Sequence, residues 1–145
     1  MRDVAVIGVG MIPFGRRDED TLMDMLAYAS LKALDDAGLG DRSVDAVYVG
    51  NMGAGMLQHQ SAVASSLVDR LSLLPAAADV VENGPASGGS AVKNGVLAVA
   101  SGYYDTVLVV GDRPVPQELM EEAEADVKFA DDDTIRERIA GLKGR

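Results

Sequence analysis

Cysteine is absent from this chain of 145 residues, and histidine occurs once, as His59. The absence of cysteine excludes disulfide bonds, thiolate zinc sites, iron–sulfur clusters and cysteine nucleophiles. With a single histidine in addition, we expect no metal site. Long apolar runs are also missing: none approaches the roughly 20 residues of a membrane-spanning helix, and the start MRDVAVIG lacks a signal-peptide pattern. We therefore expect a soluble, cytoplasmic protein.

Basic residues are scarce, since 13 lysine and arginine residues stand against 23 aspartate and glutamate residues, for a formal charge of −10. Such an acidic surface repels phosphate backbones, so we expect no nucleic-acid partner. Aspartate outnumbers glutamate 16 to 7 and arginine outnumbers lysine 9 to 4, a bias typical of halophile-like adaptation to high salt. An ordinary acidic surface explains the total charge but not the bias, and both alternatives stay open.

Strand-like and helix-like patterns alternate through residue 111 with short connections. Strands are predicted over residues 4–9, 44–49, 77–82 and 106–110, and helices over 22–37 after an N-cap at Thr21, over 60–71 and over 86–100. This alternation predicts an α/β domain over residues 1–111, with a mostly parallel sheet joined by right-handed crossovers. Residues 112–145 are expected to form a loosely attached acidic tail, in which helices over 117–130 and 134–142 fit the pattern.

The turn from the third predicted strand into the third predicted helix is the candidate functional site of this sequence. It reads Val80-Val-Glu-Asn-Gly-Pro-Ala-Ser-Gly-Gly-Ser-Ala-Val92. The helix is rich in small residues, so neighbouring backbones can approach it, and we expect it to be a buried central helix. Its N-terminus leaves backbone N–H groups beside Ser87, where an oxyanion or acyl carbonyl would be stabilised. A purely structural turn, with Pro85 near the first helical turn, is the alternative.

Short motifs occur in order along the first part of the chain: Met1-Arg-Asp-Val-Ala-Val-Ile-Gly-Val-Gly10, Ala33-Leu-Asp-Asp-Ala-Gly38, Val47-Tyr-Val-Gly-Asn-Met-Gly-Ala-Gly55, Val81-Glu-Asn83, Ala86-Ser-Gly-Gly89 and Ala98-Val-Ala-Ser-Gly102. Together they resemble the N-terminal half of archaeal-type thiolases, in the acetyl-CoA acetyltransferase and sterol-carrier-protein-thiolase branch. The resemblance covers about residues 1–111. It implies a layered α/β/α fold, acyl-CoA as substrate and no permanently bound cofactor.

The family pattern at the turn is V-E-x-A-C-A-S-G-G, in which the cysteine attacks the acyl-CoA thioester. Matching Ala86-Ser-Gly-Gly89 to A-S-G-G places Pro85 at the position of that cysteine. Proline has no nucleophilic group, so the family's reaction cannot begin there. The resemblance further implies a C-terminal half that supplies catalytic histidines and usually a second cysteine. We expect the chain to be inactive by itself.

Ser87 is the one catalytic candidate, because it lies two residues beyond Pro85 at the same helix terminus. An alcohol needs a positioned base to become a nucleophile, and His59 is the only histidine. We expect His59 to be exposed in its glycine-rich region, so the base would come from a partner. A plain helix-start serine is the alternative. Glu82 has no paired carboxylate in the sequence and is expected to be a structural group.

Three functions remain open. The first is a subunit of an acyl-CoA acyltransferase, assembled as a homo-oligomer, with a separately encoded C-terminal thiolase half, or with a small OB-fold or zinc-ribbon subunit. Such a half would expose apolar surface and an unpaired sheet edge. The second is a non-catalytic thiolase-fold binding or scaffold protein. The third and weakest is a nucleotide-binding domain, because the third glycine of G-x-G-x-x-G after Gly8 and Gly10 falls at Pro13.

Overall fold

A computed structural model describes residues 1–112 except positions 16, 18, 40–43 and 58. In this part of the chain the elements are α1 (Leu22–Asp36), β1 (Ala46–Gly50), α2 (Ala54–Leu57), α3 (Val63–Arg70), β2 (Ala77–Val81), α4 (Ser87–Ser101) and β3 (Val107–Gly111). The three predicted helices and the last three predicted strands are confirmed, with ends shifted by a few residues. The helices predicted over 117–130 and 134–142 lie outside the described residues.

The sheet has β1 at its centre, with β2 and β3 hydrogen-bonded to it in parallel. In this register Val49 of β1 pairs with Val80 of β2 and with Val110 of β3. Parallel neighbours need crossover connections, and α3 and α4 lie in the connections between these strands. The predicted α/β class is therefore confirmed.

The two faces of the sheet are covered by different helices. On one face, Val47 and Val49 of β1 belong to a buried cluster that includes Leu26 of α1 and Leu67 of α3. On the other face, α4 lies so close that a Cβ atom on Gly95 would be 2.7 Å from a methyl carbon of Val109. The arrangement has the predicted α/β/α layers.

The start of α1 shows why a polar residue opens an apolar helix. The hydroxyl oxygen of Thr21 accepts a hydrogen bond from the amide of Asp24 at 3.1 Å, and the Asp24 carboxylate accepts one from the amide of Thr21 at 3.1 Å. This reciprocal capping box satisfies amides that the first helical turn leaves unpaired. The predicted N-cap at Thr21 is confirmed.

Residues 4–9 form no strand, so that prediction is wrong. The backbone instead lies against α1, where a Cβ atom on Gly8 would clash with the carbonyl of Ala33. The amide of Val9 donates to the Asp36 carboxylate at 2.9 Å rather than to a strand. The segment has strand-like composition, but a strand also needs a neighbouring strand, and among the described residues none pairs with it.

One side of α4 is buried against the sheet, through residues that are all small: Ser87, Ala91, Gly95 and Ala100. The opposite side exposes Val92, Val96 and Leu97. The prediction of a central helix holds on the sheet side, and within the described residues the outer side is uncovered. No helix in this part of the chain has both the length and the apolarity to cross a membrane.

Candidate functional site

The carboxyl ends of the three strands meet the start of α4. The amide of Asn51, just after β1, donates to the carbonyl of Val81 at 3.2 Å, and the amide of Asp112, just after β3, donates to the carbonyl of Gly50 at 3.1 Å. A Cβ atom on Gly50 would lie 2.8 Å from the carbonyl oxygen of Ser87. The turn singled out in the sequence therefore lies at the carboxyl edge of the sheet, where open α/β sheets bind ligands.

Backbone hydrogen bonds hold this turn and lead it into α4. The amide of Ala86 donates to the carbonyl of Asn83 at 3.1 Å, and the amide of Ser87 donates to the carbonyl of Gly84 at 3.1 Å. Gly84 has a φ of 53°, in the left-handed region that favours glycine. Pro85 is exposed and comes directly before the N-cap residue Ala86. The sequence thus produces a strand, a tight turn and a helix start in immediate succession.

Ser87 closes the turn with its side chain. Its hydroxyl donates to the carbonyl of Gly84 at 2.7 Å and accepts from the amide of Asn83 at 2.9 Å. The residue is only 4% exposed. Both hydrogen-bond partners are backbone groups, so within the described residues Ser87 has a structural role and no base bonded to its hydroxyl.

The other titratable residues of the region are His59 and Glu82, and neither is hydrogen-bonded to the Ser87 hydroxyl. His59 is exposed, as predicted, and is not a hydrogen-bond partner of Ser87. Glu82 is exposed, and its carboxylate accepts a long contact of 3.5 Å from the amide of Gly84. The structure does not bring His59, Glu82 and Ser87 together as a hydrogen-bonded catalytic group.

The N-terminus of α4 presents backbone N–H donors. Among the described residues, no acceptor is hydrogen-bonded to the amides of Gly88 and Gly89. Added Cβ atoms at both glycines would meet open space, and the first turn of α4 contains no acidic residue. The positive end of the helix dipole therefore faces an accessible region. A carbonyl oxygen or an anion is the chemical group that this end favours.

Asn51 is a residue of this edge that the sequence interpretation missed. Its side-chain oxygen accepts hydrogen bonds from the amides of Gly53 at 3.1 Å and Ala54 at 2.8 Å, and the residue is 4% exposed. These bonds begin α2, a short helix inside the region expected to be a glycine-rich loop. The preference of asparagine for helix N-caps was the available signal.

An open groove of about 640 Å³ lies beside the second half of α4, away from the turn. Its lining includes Tyr48, Asp79, Leu97 and Tyr103, and neither Pro85 nor Ser87. Burial raises the pKa of the Tyr48 hydroxyl, and the charges of Tyr104 and Asp79 raise it further. The groove and the turn are separate features on the same side of the sheet.

Metal and dinucleotide sites find no support in the part of the chain that the structure describes. No group of three or more histidine, cysteine, aspartate or glutamate side chains there is arranged to hold a metal ion. Gly8 and Gly10, the glycines of the dinucleotide-like motif, pack against the backbone of α1. They do not form an open turn between a strand and a helix.

Comparisons with known proteins agree with this architecture. A family model described as thiolase, N-terminal domain, matches residues 4–138. The acetyl-CoA acetyltransferase of Methanothermobacter thermautotrophicus is 45% identical over 111 residues, which are 77% of this chain and 29% of that protein. The acetyl-CoA acetyltransferase of Methanocaldococcus jannaschii is 41% identical over 111 residues, which are 77% of this chain and 28% of that protein. The chain belongs to the thiolase N-terminal domain family.

The thiolase resemblance of the short motifs is thereby confirmed. The chain spans less than a third of the length of these two relatives. The family match extends to residue 138, into the predicted tail, and the domain boundary at residue 111 stays a prediction. Pro85, which the motif match predicts at the position of the family's cysteine, lies in the exposed turn before α4.

Proposed function

We propose that this chain contributes the N-terminal half of a thiolase-type acyl-CoA acyltransferase site to a larger assembly, and that it does not transfer acyl groups by itself. The observation that carries the proposal is the turn before α4, which lies at the carboxyl edge of the sheet and opens on the amides of Gly88 and Gly89. The two acetyl-CoA acetyltransferases to which the chain is similar support an acyl-CoA as the substrate class.

In this proposal the chain binds and orients the acyl-CoA thioester, and it supplies little of the reactive chemistry. The amides at the start of α4 stabilise the carbonyl oxygen of a bound thioester, and Pro85 supplies no nucleophile. Ser87 remains the only candidate nucleophile of the turn. To act, its hydroxyl must give up its hydrogen bond to Gly84, and a base must come from another chain.

A non-catalytic thiolase-fold scaffold is the second candidate. Two features favour it: the motif match places Pro85 at the position of the family's cysteine, and both hydrogen bonds of the Ser87 hydroxyl are made to backbone groups of the turn. A scaffold would keep the fold and the assembly surface, and would bind no acyl-CoA.

The exposed side of α4 supports assembly with a partner. Val92, Val96 and Leu97 form an apolar stripe on the helix that follows the turn. A polypeptide that completes the thiolase fold, a second copy or a small OB-fold or zinc-ribbon subunit would cover such a stripe. The proposal places this assembly in the cytoplasm, with acyl-CoA as substrate and no resident cofactor.

Free CoA release from acetyl-CoA tests the proposal with an unusually clean readout. Because the chain has no cysteine, a thiol reagent reports only the CoA thiol. The chain alone should release no CoA above the spontaneous rate. Mixed with the part of the Methanothermobacter thermautotrophicus acetyltransferase beyond its matched region, it should form a complex that binds acetyl-CoA in calorimetry.

Two results would change the conclusion. Release by the chain alone, lost in Ser87→Ala, would show a self-sufficient enzyme with a serine nucleophile. A stable complex that binds no acetyl-CoA would favour the scaffold.

A further inference from the structure

Alternate residues of β1 lie on the α4 side of the sheet. A Cβ atom on Gly95 of α4 would be 4.0 Å from a ring carbon of Tyr48, and a Cβ atom on Gly50 would be 2.8 Å from the Cα atom of Gly88. Because residues along a strand alternate between its two faces, the next position in this series is Met52. The series on the α4 side therefore continues to a methionine beside the start of α4.

The contacts of Asn51 agree with this alternation. Its amide donates to the carbonyl of Val81 at 3.2 Å, which extends the pairing of β1 with β2 by one residue. Its side chain is buried and accepts hydrogen bonds from the amides of Gly53 and Ala54 at the start of α2. Since the Asn51 side chain is used there, Met52 is left on the side of the turn, where 47% of its surface is exposed.

Side chains are small where the proposed thioester binds. Gly88 and Gly89 have none, and Cβ atoms added there would meet open space. Methylene groups of an acyl chain gain free energy when they leave water, so a chain bound at this edge needs an apolar neighbour. Met52 is a large apolar side chain at the same edge, and its flexible thioether adapts to chains of different shape.

We propose that Met52 packs against the acyl chain of the bound thioester and favours chains longer than acetyl. This role rests on the proposed function, because it takes the carbonyl oxygen of the thioester to lie at the amides of Gly88 and Gly89. With the carbonyl held there, the acyl chain extends over the side of the turn next to Met52. An acetyl group offers a single methyl group for this contact, whereas a longer chain covers the methionine.

A chain of chosen length, attached to a thiol at the turn, tests this contact. Pro85→Cys supplies the only thiol of the full chain. N-hexyl iodoacetamide attaches a carbonyl group with a hexyl chain, and N-methyl iodoacetamide attaches the same carbonyl group with a methyl group. Circular dichroism should show an unchanged fold, because Pro85 is exposed.

Nuclear magnetic resonance of carbon-13-labelled methionine methyl groups reads the contact, because the chain has only seven methionines. The Met52 signal, assigned with Met52→Leu, should shift with the hexyl reagent and stay unchanged with the methyl reagent. Met11 is the internal reference and should not shift, because its carbonyl is bound by Lys32 of α1, on the other face of the sheet.

The amide signals of Gly88 and Gly89 separate this role from the function on which it rests. Both reagents should shift them, because both place a carbonyl oxygen at the start of α4. If these amides shift and the Met52 signal does not respond to the hexyl chain, Met52 has no such role and the proposed carbonyl site stands. Unchanged amide signals would remove the carbonyl site, and the role of Met52 with it.

Alkylation rates give a second measurement with the same two reagents. Adding Met52→Ala to Pro85→Cys should lower the ratio of the hexyl rate to the methyl rate about fivefold, because the chain loses its apolar neighbour. Leu74→Ala is the matched control, since Leu74 is 68% exposed and lies ahead of β2, at the opposite edge of the sheet. An unchanged ratio with Met52→Ala, or an equal fall with Leu74→Ala, would overturn the proposal.

Discussion

Gly50 and Gly88 approach each other so closely that a Cβ atom on Gly50 would lie 2.8 Å from the Cα atom of Gly88. The same Cβ atom would lie 2.8 Å from the carbonyl oxygen of Ser87. The missing side chain at the end of β1 therefore allows the start of α4 to touch the sheet. The position of the turn depends on this contact.

Gly50→Ala should destabilise the fold by about 1–3 kcal/mol, because the added methyl group meets backbone atoms that cannot rotate away. Urea denaturation measures the change as a lower midpoint. Gly55→Ala is the matched control, since a Cβ atom at Gly55 would meet nothing within 4 Å. Equal midpoints for the two variants would contradict the close approach.

Ser87→Ala should destabilise the fold by about 1–3 kcal/mol, because it removes a buried hydroxyl and leaves the amide of Asn83 without its acceptor and the Gly84 carbonyl without a donor. Ser101→Ala is the control at the other end of α4, where the exposed hydroxyl donates to the carbonyl of Ala98. We expect its effect to stay within about 0.5 kcal/mol. A Ser87→Ala variant as stable as the wild type would remove the structural role of this hydroxyl.

Pro85→Cys should place a reactive thiol at the position that the motif match predicts for the family's cysteine. The positive end of α4 should lower the pKa of this thiol by about one unit relative to a thiol introduced by Leu97→Cys, which lies on the exposed side of the same helix. Each variant contains a single cysteine, so the pH dependence of alkylation by iodoacetamide reports one group. The same apparent pKa in both variants would show that the helix terminus does not act on position 85.

Asp45 should make the fold sensitive to acid. Its carboxylate accepts hydrogen bonds from the amides of Thr106 at 2.9 Å and Asp105 at 2.8 Å, and these bonds lower its pKa below its usual value. Because the folded pKa lies below the unfolded one, the stabilisation is present above the unfolded pKa and is lost as pH falls through the folded pKa.

The stability difference between the wild type and Asp45→Asn should therefore shrink as pH falls below about 4. Thermal melting at a series of pH values measures it. A constant difference for Asp45→Asn across this range would mean that the carboxylate charge does not stabilise the junction.

Local patterns predicted most of the fold, because they act within one element. Thr21 opens α1 as expected, since its capping partner lies three residues away. The strand over residues 4–9 was predicted wrongly, because composition reports the preference for a strand and not the presence of a neighbour. The sequence predicted where Ser87 lies, at the turn before α4, but not its hydrogen bonds. Its bonds to Asn83 and Gly84 depend on backbone angles that the sequence pattern does not specify.

Arg2 and its ion-pair partner Asp105 are 103 positions apart in the chain. At about 5–20 residues per second, a ribosome needs roughly 5–20 s to reach Asp105 after it has made Arg2. During that interval the valines and isoleucine of the first ten residues emerge before the carboxylate that will anchor them exists. The contact of Arg2 with Asp105 therefore forms late, after nearly all of the described residues have been synthesised.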